Sequence, residues 1–566
     1  MPTEPTDYLL PGRPAKASVG FGDEYLQIFK GYSEMPMVER QSKTVKIHFL
    51  DELEFLSNYK LSGGTLQTDI RTDRYIWGIL DDVYADYFKV IASCDTDESW
   101  TGGTSETINQ RGGDGARKVS STNGEEATAY KTISPALDLS NLEYIDFFCY
   151  VDDASKVDYV KVRLETTAGS AYYEKSIGGD LENVWNEFHL LKSSFSETGS
   201  PNWNSIVRVT LIVKATTGNN VYCIFDEIRA VDEIGYPQRY FDIGLQTIPV
   251  AWWAGNTALY EIKVACESEG ARFYADEKGK LHFENRQYYN LHDEYKRSVW
   301  EFNFDRMTDL EYPNRETDVI NKVIVKLKPR RVVSTAEEIW RYGFVPDIAA
   351  SETKTIWASL NDPCPTTASG IIAPAATTDY TANTQENGGG TDKTDKISIT
   401  ITRFANAVKL DVKNNDAGTV YLTLLKLRGT PAKESDEIII TEQDDTSIGI
   451  YGERPAGGMA IENKYLADEY YAQTRAQQIV DWYKNPKTMI VLGGRSVPQL
   501  QLGDMISVVN EDVNKNYLMR VTLIKNQYSN DGLNQEIHCR SVTPQEQLTY
   551  FQIGVSAIES TDVISP

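Results

Sequence analysis

At 566 residues the chain exceeds what one hydrophobic core can hold, so about three to five domains of roughly 100–200 residues each are expected. Hydrophobic residues at 41% and charged residues at 25% are an ordinary globular balance, so the chain should fold. With 82 acidic against 57 basic residues the net charge is −25, which repels polyphosphate and argues against an outer surface made for nucleic acid; solubility at high local concentration is the plainer meaning.

The start, "MPTEPTDYLLPGRPAK", has no hydrophobic signal core, and no apolar run approaches the ~20 residues that span a bilayer. Classical secretion and stable membrane insertion are therefore not expected. Period-two alternation dominates the remainder of the chain, in "KTVKIHF" (43–49), "DYVKVRLET" (158–166), "DKISITITRF" (395–404) and "VTLIKNQYS" (521–529). Such alternation puts one face of a strand on a core and the other in water, so the fold class is mainly β and multidomain, with few helices.

"DIRTDRYIWGILDDV" (69–83) reads as an unfinished unit with a short helix of its own. Residues 95–130 are rich in Gly, Ser, Thr and Asn and mark loops, after which strands run to "VYCIFDEIRAV" (221–231). "RYFDIGLQTIPVAWW" (239–253) resumes strand patterning. "NTALYEIKVACESEG" (256–270) predicts a helix with Leu259, Ile262 and Cys266 on one stripe, Asn256 as N-cap and Gly270 as stop. A second loop-rich entry spans 361–394, and its strands end at "VYLTLLKLRG" (420–429). "NKYLADEYYAQTRAQQIVDWYKNP" (463–486) predicts a helix with Tyr465, Ala472, Ala476, Ile479 and Tyr483 on its core stripe. Two β-sandwiches inserted into a discontinuous host account for this order, since insertions are tolerated where the host's ends lie close together.

Six cysteines (Cys94, Cys149, Cys223, Cys266, Cys364 and Cys539) lie apart without a CxxC pair, which argues against zinc-ribbon or redox chemistry. Free buried thiols are expected, with a Cys149–Cys223 disulfide as the alternative. The five histidines form no HExxH, and no GxSxG, P-loop or GxGxxG-to-helix pattern is present, so no catalytic residue is assigned and an enzyme is not expected.

From "DLSNLEYIDFFCYVDD" through "NVWNEFHLLKSSF" and "GSPNWNSIVRVTLIVKA" to "VYCIFDEIRAV", residues 94–232 resemble the jelly-roll sandwich of carbohydrate-binding modules. The resemblance implies sugar rings stacked on aromatic side chains, with Trp100, Tyr172, Trp185 and Trp203 as candidates beside Tyr173. Any one of these rings is more readily a core member than a sugar platform, and adjacent Tyr172 and Tyr173 must face opposite sides of a strand. It also implies a structural calcium held by Asp226 with Asp95, Asp97 or Glu98; the plainer alternative is that Asp226 caps a loop network.

Three host stretches, "GFGDEYLQIFKGYSEMPMVERQSKTVKIHFLDELEFLSNYKL" (20–61) with "TDRYIWGIL", "ALYEIKVACESEGARFYADEKGKLHFENRQ" (258–287) and "SIGIYGERPAGGMAIENKYLADEYYAQTRAQQIVDWYKNPKTMI" (447–490) leading to "PQLQLGDMISVV", resemble the baseplate or tail-tip hub of long-tailed bacteriophages. "DYTANTQENGGGTDKTDKISITITRFANAVKLDVKNNDAGTVYLTLLKLRGTP" (379–431) resembles an immunoglobulin-like sandwich of tail proteins, expected to be spacer or decoration. These resemblances imply a first tube-like barrel in 1–93 completed by 233–255, the jelly roll in 94–232, a central α+β domain in 233–350, the Ig-like sandwich in 351–432, and a helix plus second barrel in 433–566. They imply a homotrimer at the distal end of the virion tail. Its partners would be distal tail, tape-measure and tip or fibre proteins and a host-surface glycan, with DNA only as cargo through the lumen. A glycan-degrading enzyme carrying a sugar-binding module is the alternative.

Overall fold

The computed structural model describes residues 14–542, apart from 22–23, 35–36, 40–43, 47, 62–63, 114, 233–234, 254, 292–295, 313–318, 457–459, 496, 512–514 and 530–531, together with 550–551 and 563–564. Strands dominate, and the described helices are α1 (Glu52–Asn58), α2 (Thr72–Val83), α3 (Ala258–Glu269), α4 (Tyr288–Leu291), α5 (Asp445–Tyr451) and α6 (Glu469–Tyr483). The protein is mainly β and multidomain. Among the described residues no helix is long and apolar enough to cross a membrane.

Residues 88–231 form a two-sheet sandwich. One sheet orders Trp185–Leu191, Tyr144–Val151, Val221–Val231, Ala116–Ser121 and Thr104–Glu106, with Phe88–Ala92 also paired to Val221–Val231; the other orders Glu126–Leu137, Ile206–Ala215, Val157–Thr167, Ala171–Ser176 and Ser196–Thr198. The alternation legible in "YIDFFCYV" is realised residue by residue: Ile145, Phe147, Cys149 and Val151 are buried, their neighbours half-buried. Phe147 and Phe225 of one sheet meet Val162, Leu164 and Leu211 of the other in a shared core. Cys149 and Cys223 lie in that core as free thiols, so the disulfide alternative is not realised.

Entry and exit of this insert are paired. Phe88–Ala92, which leaves the host, runs antiparallel to the closing strand, with Phe88 opposite Val231 and Ala92 opposite Ile228. The second insert repeats the device: Lys322–Leu327 pairs with Ile438–Gln443, and Arg330–Val332 with Ala432–Glu434. Beyond that stem, Glu337–Arg341, Asp347–Ile348, Ile371–Ile372 and Tyr380–Asn383 pair with Val420–Gly429, facing a sheet of Thr353–Ser359, Ala407–Asn414 and Ile397–Phe404. The sandwich therefore starts near Glu337, earlier than the expected 351, because its first strand needs Val420–Gly429 as partner.

The host core is assembled from three separated stretches. Leu56, Tyr75, Ile76, Ile79 and Leu80 pack with Phe241, Ile248, Ile262, Ala265 and Phe283, and with Tyr465. The hydroxyls of Tyr75 and Tyr465 are hydrogen-bonded, and Tyr465 also donates to buried Glu261, which lies 2.8 Å from Lys464 Nζ as well. Tyr465 thus precedes α6 instead of standing on its stripe: Asp468 caps the helix by accepting from the Tyr470 and Tyr471 amides. Ala472, Ala476 and Ile479 are buried as expected, whereas Tyr483 is exposed. Likewise Thr257, not Asn256, caps α3, because the Asn256 amide is drawn 2.6 Å onto Glu261. Gly270 ends α3 at φ 80°, the left-handed conformation a glycine adopts without strain.

Two expectations about barrels meet different outcomes. Residues 14–50 contribute a three-stranded sheet of Pro14–Phe21, Glu24–Ser33 and Phe49–Leu50, but 233–255 does not complete it. Thr247–Ala251 pairs with Gln67–Arg71, and Arg239–Phe241 runs parallel to Leu281–Glu284, so this region builds the α+β unit. At the other end a six-stranded sheet orders Ser298–Phe302, Met505–Asn510, Lys515–Ser529, Gly532–Ser541, Met489–Arg495 and Met307–Glu311. Its two edge strands are joined by residues 303–306, where the Arg306 and Met307 amides both donate to Asn303 O, so the sheet must curl around its core of Phe302, Ile490, Val508 and Ile537.

The jelly roll is bound to the host by buried charge. Arg229 on the closing strand donates to Asp81 of α2 at 2.7 and 2.9 Å and from Nε to Glu227 at 2.8 Å, while Arg239 donates to the same Asp81 at 2.6 Å. Burial opposes ionisation of Asp81, but the two guanidinium groups outweigh it and hold its carboxyl below the usual range. Trp77 lies beneath, 6.1 Å from Phe148 of the jelly roll and 5.3 Å from Phe241. Removing one partner from such a pair strands buried charge. Arg229→Met should therefore lower unfolding stability by about 3–5 kcal/mol, measured by urea denaturation.

Candidate functional site

On the outer face of the five-stranded sheet the side chains that alternate with the core form a continuous polar and aromatic surface. Val157–Thr167 contributes Tyr159, Lys161 and Arg163, with Glu165 buried on the same side; Ile206–Ala215 contributes Arg208 and Lys214, with Thr210 buried between them; Tyr130 and Tyr172 lie on the strands beside them. Arg163 sits 4.0 Å over the Tyr172 ring and Arg208 4.4 Å over Tyr130, while Lys161 and Lys214 flank Tyr159 at 4.8 and 5.3 Å. Cations stacked on rings hold both groups in one orientation with little entropy left to lose on binding.

Acidic groups complete the surface. Arg163 donates to Glu174 Oε2 at 2.9 and 2.6 Å, and Lys161 meets Oε1 at 2.9 Å. Burial works against the Glu174 anion, yet Lys161 and Arg163 hold its carboxyl below the ordinary range. Glu165 accepts from Thr210 at 2.5 Å and from the Gly169 amide at 2.6 Å. A hydrogen bond to Glu126, then burial, pushes the Tyr159 phenol up to about 12, so it remains a donor throughout the physiological range. Planar donors, carboxylate acceptors and ring faces on one rigid sheet suit a neutral polyhydroxylated ligand, whose hydroxyls bridge such pairs and whose C–H faces meet aromatic rings.

The four aromatic candidates from the sequence are not brought together. Tyr172 faces this surface, while its neighbour Tyr173 points inward and stacks on Trp203 at 3.9 Å and 11°. Trp203 meets Phe195 edge-on and lies under Lys192, packed against the sandwich core; Trp100 is packed there too, donating to Glu98 at 3.2 Å. Trp185 lies on the other sheet, where its indole donates to Asn109 at 2.7 Å and Arg111 covers its ring. Arg111 in turn donates to Phe241 O at 2.7 Å, so Trp185 belongs to the seam with the host. Large rings were the sequence's loudest signal, and the core uses them. Tyr130, Tyr159, Arg163 and Arg208 were missed, although the alternation of "DYVKVRLET" already put Tyr159, Lys161, Arg163 and Glu165 on one side.

The residues expected to hold calcium do not assemble a site. Asp226 is fully buried; its Oδ2 accepts from the Arg111 and Gly112 amides at 2.6 and 2.9 Å, and its Oδ1 from the Glu227 amide. Burial, reinforced by Glu227, pushes the Asp226 carboxyl well up. Glu98 is committed to the Ser93 and Cys94 amides, Trp100 and Lys131, and Asp97 is exposed. Asp95 lies against Gly113, where an added Cβ would fall 1.5 Å from its Oδ1. Among the described residues no group of three or more His, Cys, Asp or Glu is placed to hold a metal ion. Asp226 here anchors loop 107–113, the plainer reading.

No protein-family model matches the chain, and no curated protein matches it. Among solved structures, the 43 kDa tail protein of prophage MuSo2 from Shewanella oneidensis is similar at 9% identity over 76% of this chain and 99% of that one, with a TM-score of 0.28. A tail protein from Neisseria meningitidis MC58 is similar at 10% identity over 72% and 99%, TM-score 0.27. A family 11 carbohydrate-binding module from Clostridium thermocellum, in complex with a β-1,3-1,4-mixed-linked tetrasaccharide, is similar at 12% identity over 26% and 98%, TM-score 0.22. At such scores no property of those proteins transfers to this chain. The chain's own packing separates core from surface: Trp203→Ala should cost about 3 kcal/mol of stability, whereas Tyr172→Ala should stay within about 0.5 kcal/mol, both read from urea unfolding curves.

Proposed function

We propose that the chain is a structural protein at the distal end of a bacteriophage tail, closing the tube as a homotrimer and organising neighbouring tip proteins. Its jelly roll presents the five-stranded face to a host-surface glycan. The work is assembly and binding, not bond breaking. The observation that carries the reading is the convergence of host stretches that each resemble tail hubs: Tyr75, α3 with Glu261, and Tyr465 meet in one buried hydrogen-bonded core although they are separated by up to 390 residues. Chains that merely string modules together have no reason to thread three segments through one centre.

The curled six-stranded sheet formed by 298–311 and 489–541 supports the tube-wall role, since tilted strands curled around a core are what a barrel wall requires. For the jelly roll, the supporting observation is that Glu174 on the open face and the buried Glu165 are spent on Lys161, Arg163, Thr210 and Gly169. Such carboxylates orient neighbours; they are not poised as an acid and a nucleophile.

Negative-stain images of the purified chain should show three-copy rings with a central opening; a uniform population of monomers contradicts the hub. On a glycan array, the protein should retain at least one polysaccharide, and Arg163→Ala with Tyr172→Ala should weaken that binding about tenfold, the loss of about 1.4 kcal/mol expected for one stacking and hydrogen-bonding contact. The melting temperature should be unchanged in the same variant. Release of reducing sugar from the retained glycan would contradict the binding-only role.

A further inference from the structure

A second concavity, distant from the sugar face in its chemistry, opens where the N-terminal sheet, α1 and the exit from the jelly roll meet. Its volume is 710 Å³, within the range of roughly 300–1,000 Å³ typical of ligand sites. Rings form its walls: Tyr32 from the N-terminal sheet, Phe55 from α1, and Tyr84 and Tyr87 following α2, with Phe55 and Tyr84 stacked at 5.7 Å. Gly235 closes one side so tightly that an added Cβ would lie 1.9 Å from the Tyr87 ring.

Carboxylates stand among the rings. Glu34, Glu54 and Asp232 line the cavity, and Glu52 lies buried at its wall with Tyr84 donating to it at 3.0 Å. Asp51, also in the lining, is used as the cap of α1. No lysine, arginine or histidine is among the described lining residues. Burial pushes the Glu52 carboxyl up, against the hydroxyls of Tyr32 and Tyr84 and the charge of Lys30, so an incoming cation would strengthen its anionic form.

Each alternative guest fits poorly. An anion meets only like charge, and a metal ion would find rings where it needs oxygen ligands. A glycan would find, among the described lining residues, Asn58 and Ser33 as the only neutral side-chain donors other than phenols. We propose that this cavity receives an arginine or lysine side chain carried on an apolar peptide segment of another protein, the hydrocarbon stem along the rings and the charged head among the carboxylates. This site is independent of the glycan face and stands even if the jelly roll binds no sugar.

Fluorescence polarisation on the full chain tests it, with a dye-labelled hexapeptide alternating leucine and arginine as probe. Replacing arginine by citrulline should weaken binding at least tenfold, and so should Glu34→Gln combined with Glu54→Gln. That variant removes two of 82 acidic residues, so a tenfold loss must arise locally and not from the chain's general negative charge. Tyr87→Ala, which removes a wall without changing charge, should also weaken binding. Equal binding of the citrulline peptide, no binding of the arginine peptide, or unchanged affinity in the Glu34/Glu54 variant overturns the proposal. Agmatine alone competing as tightly as the peptide overturns its peptide part, because the site would then be one for a small free cation.

Discussion

Arg229 is the residue on which the arrangement of the molecule turns. It lies on the closing strand of the jelly roll, opposite Val90 of the entry strand, and there holds Asp81 of the host and Glu227 of its own strand. A buried guanidinium is costly unless its carboxylates stay in place, so the bonds of Arg229 to Asp81 and Glu227 favour one relative position of jelly roll and host. Trp77 under the same guanidinium, and the Lys280–Glu187 ion pair beside it, extend the seam. The jelly-roll sheet that contains Tyr144–Val151 is thereby turned toward the host at its Tyr144–Phe148 end. The five-stranded sheet is left as the broad outward face, and its orientation is fixed by the host instead of by a flexible linker.

The same logic explains how the chain tolerates two insertions. In each case the strand that leaves the host pairs with the strand that returns, so the host's cut ends are held a strand spacing apart. The host can then close its own core, with Tyr465 arriving from beyond both inserts to reach Tyr75 and Glu261. Because that hydrogen-bonded centre is buried, it cannot be satisfied by water, and the distant segment is required for the first one to be stable. Assembly of the host is consequently cooperative over most of the chain's length.

Alternation made the strands legible, and the resemblance to carbohydrate-binding modules bounded the first insert. The jelly roll was expected at 94–232 and its strands run from Phe88 to Val231; the alternating "DYVKVRLET" already contained the open face. Gly270 and the α3 stripe were legible because helix stops and 3.6-residue periodicity are local properties. What was not legible depends on contacts made far away. Nothing near Tyr465 announces that Glu261 and Tyr75 will draw it off the stripe of α6, and nothing near Asn256 shows that Glu261 will take its amide and leave capping to Thr257. The pairing of 298–311 with 489–541 joins segments on either side of the second insert, which no pattern within either segment encodes. For Trp100, Trp185 and Trp203 sequence left the role open for a related reason: a large ring is valuable to a core and to a sugar site alike, and only packing says which claims it.

The measurement that tests the proposed role most directly is a density map of the assembled particle that contains this protein. Three copies should surround a channel, each jelly roll resolved in the same orientation relative to its host, with the five-stranded sheets facing away from the axis. A lone copy without a channel, jelly rolls smeared over several orientations, or five-stranded sheets buried against neighbouring subunits would contradict the proposed hub and its proposed outward glycan face.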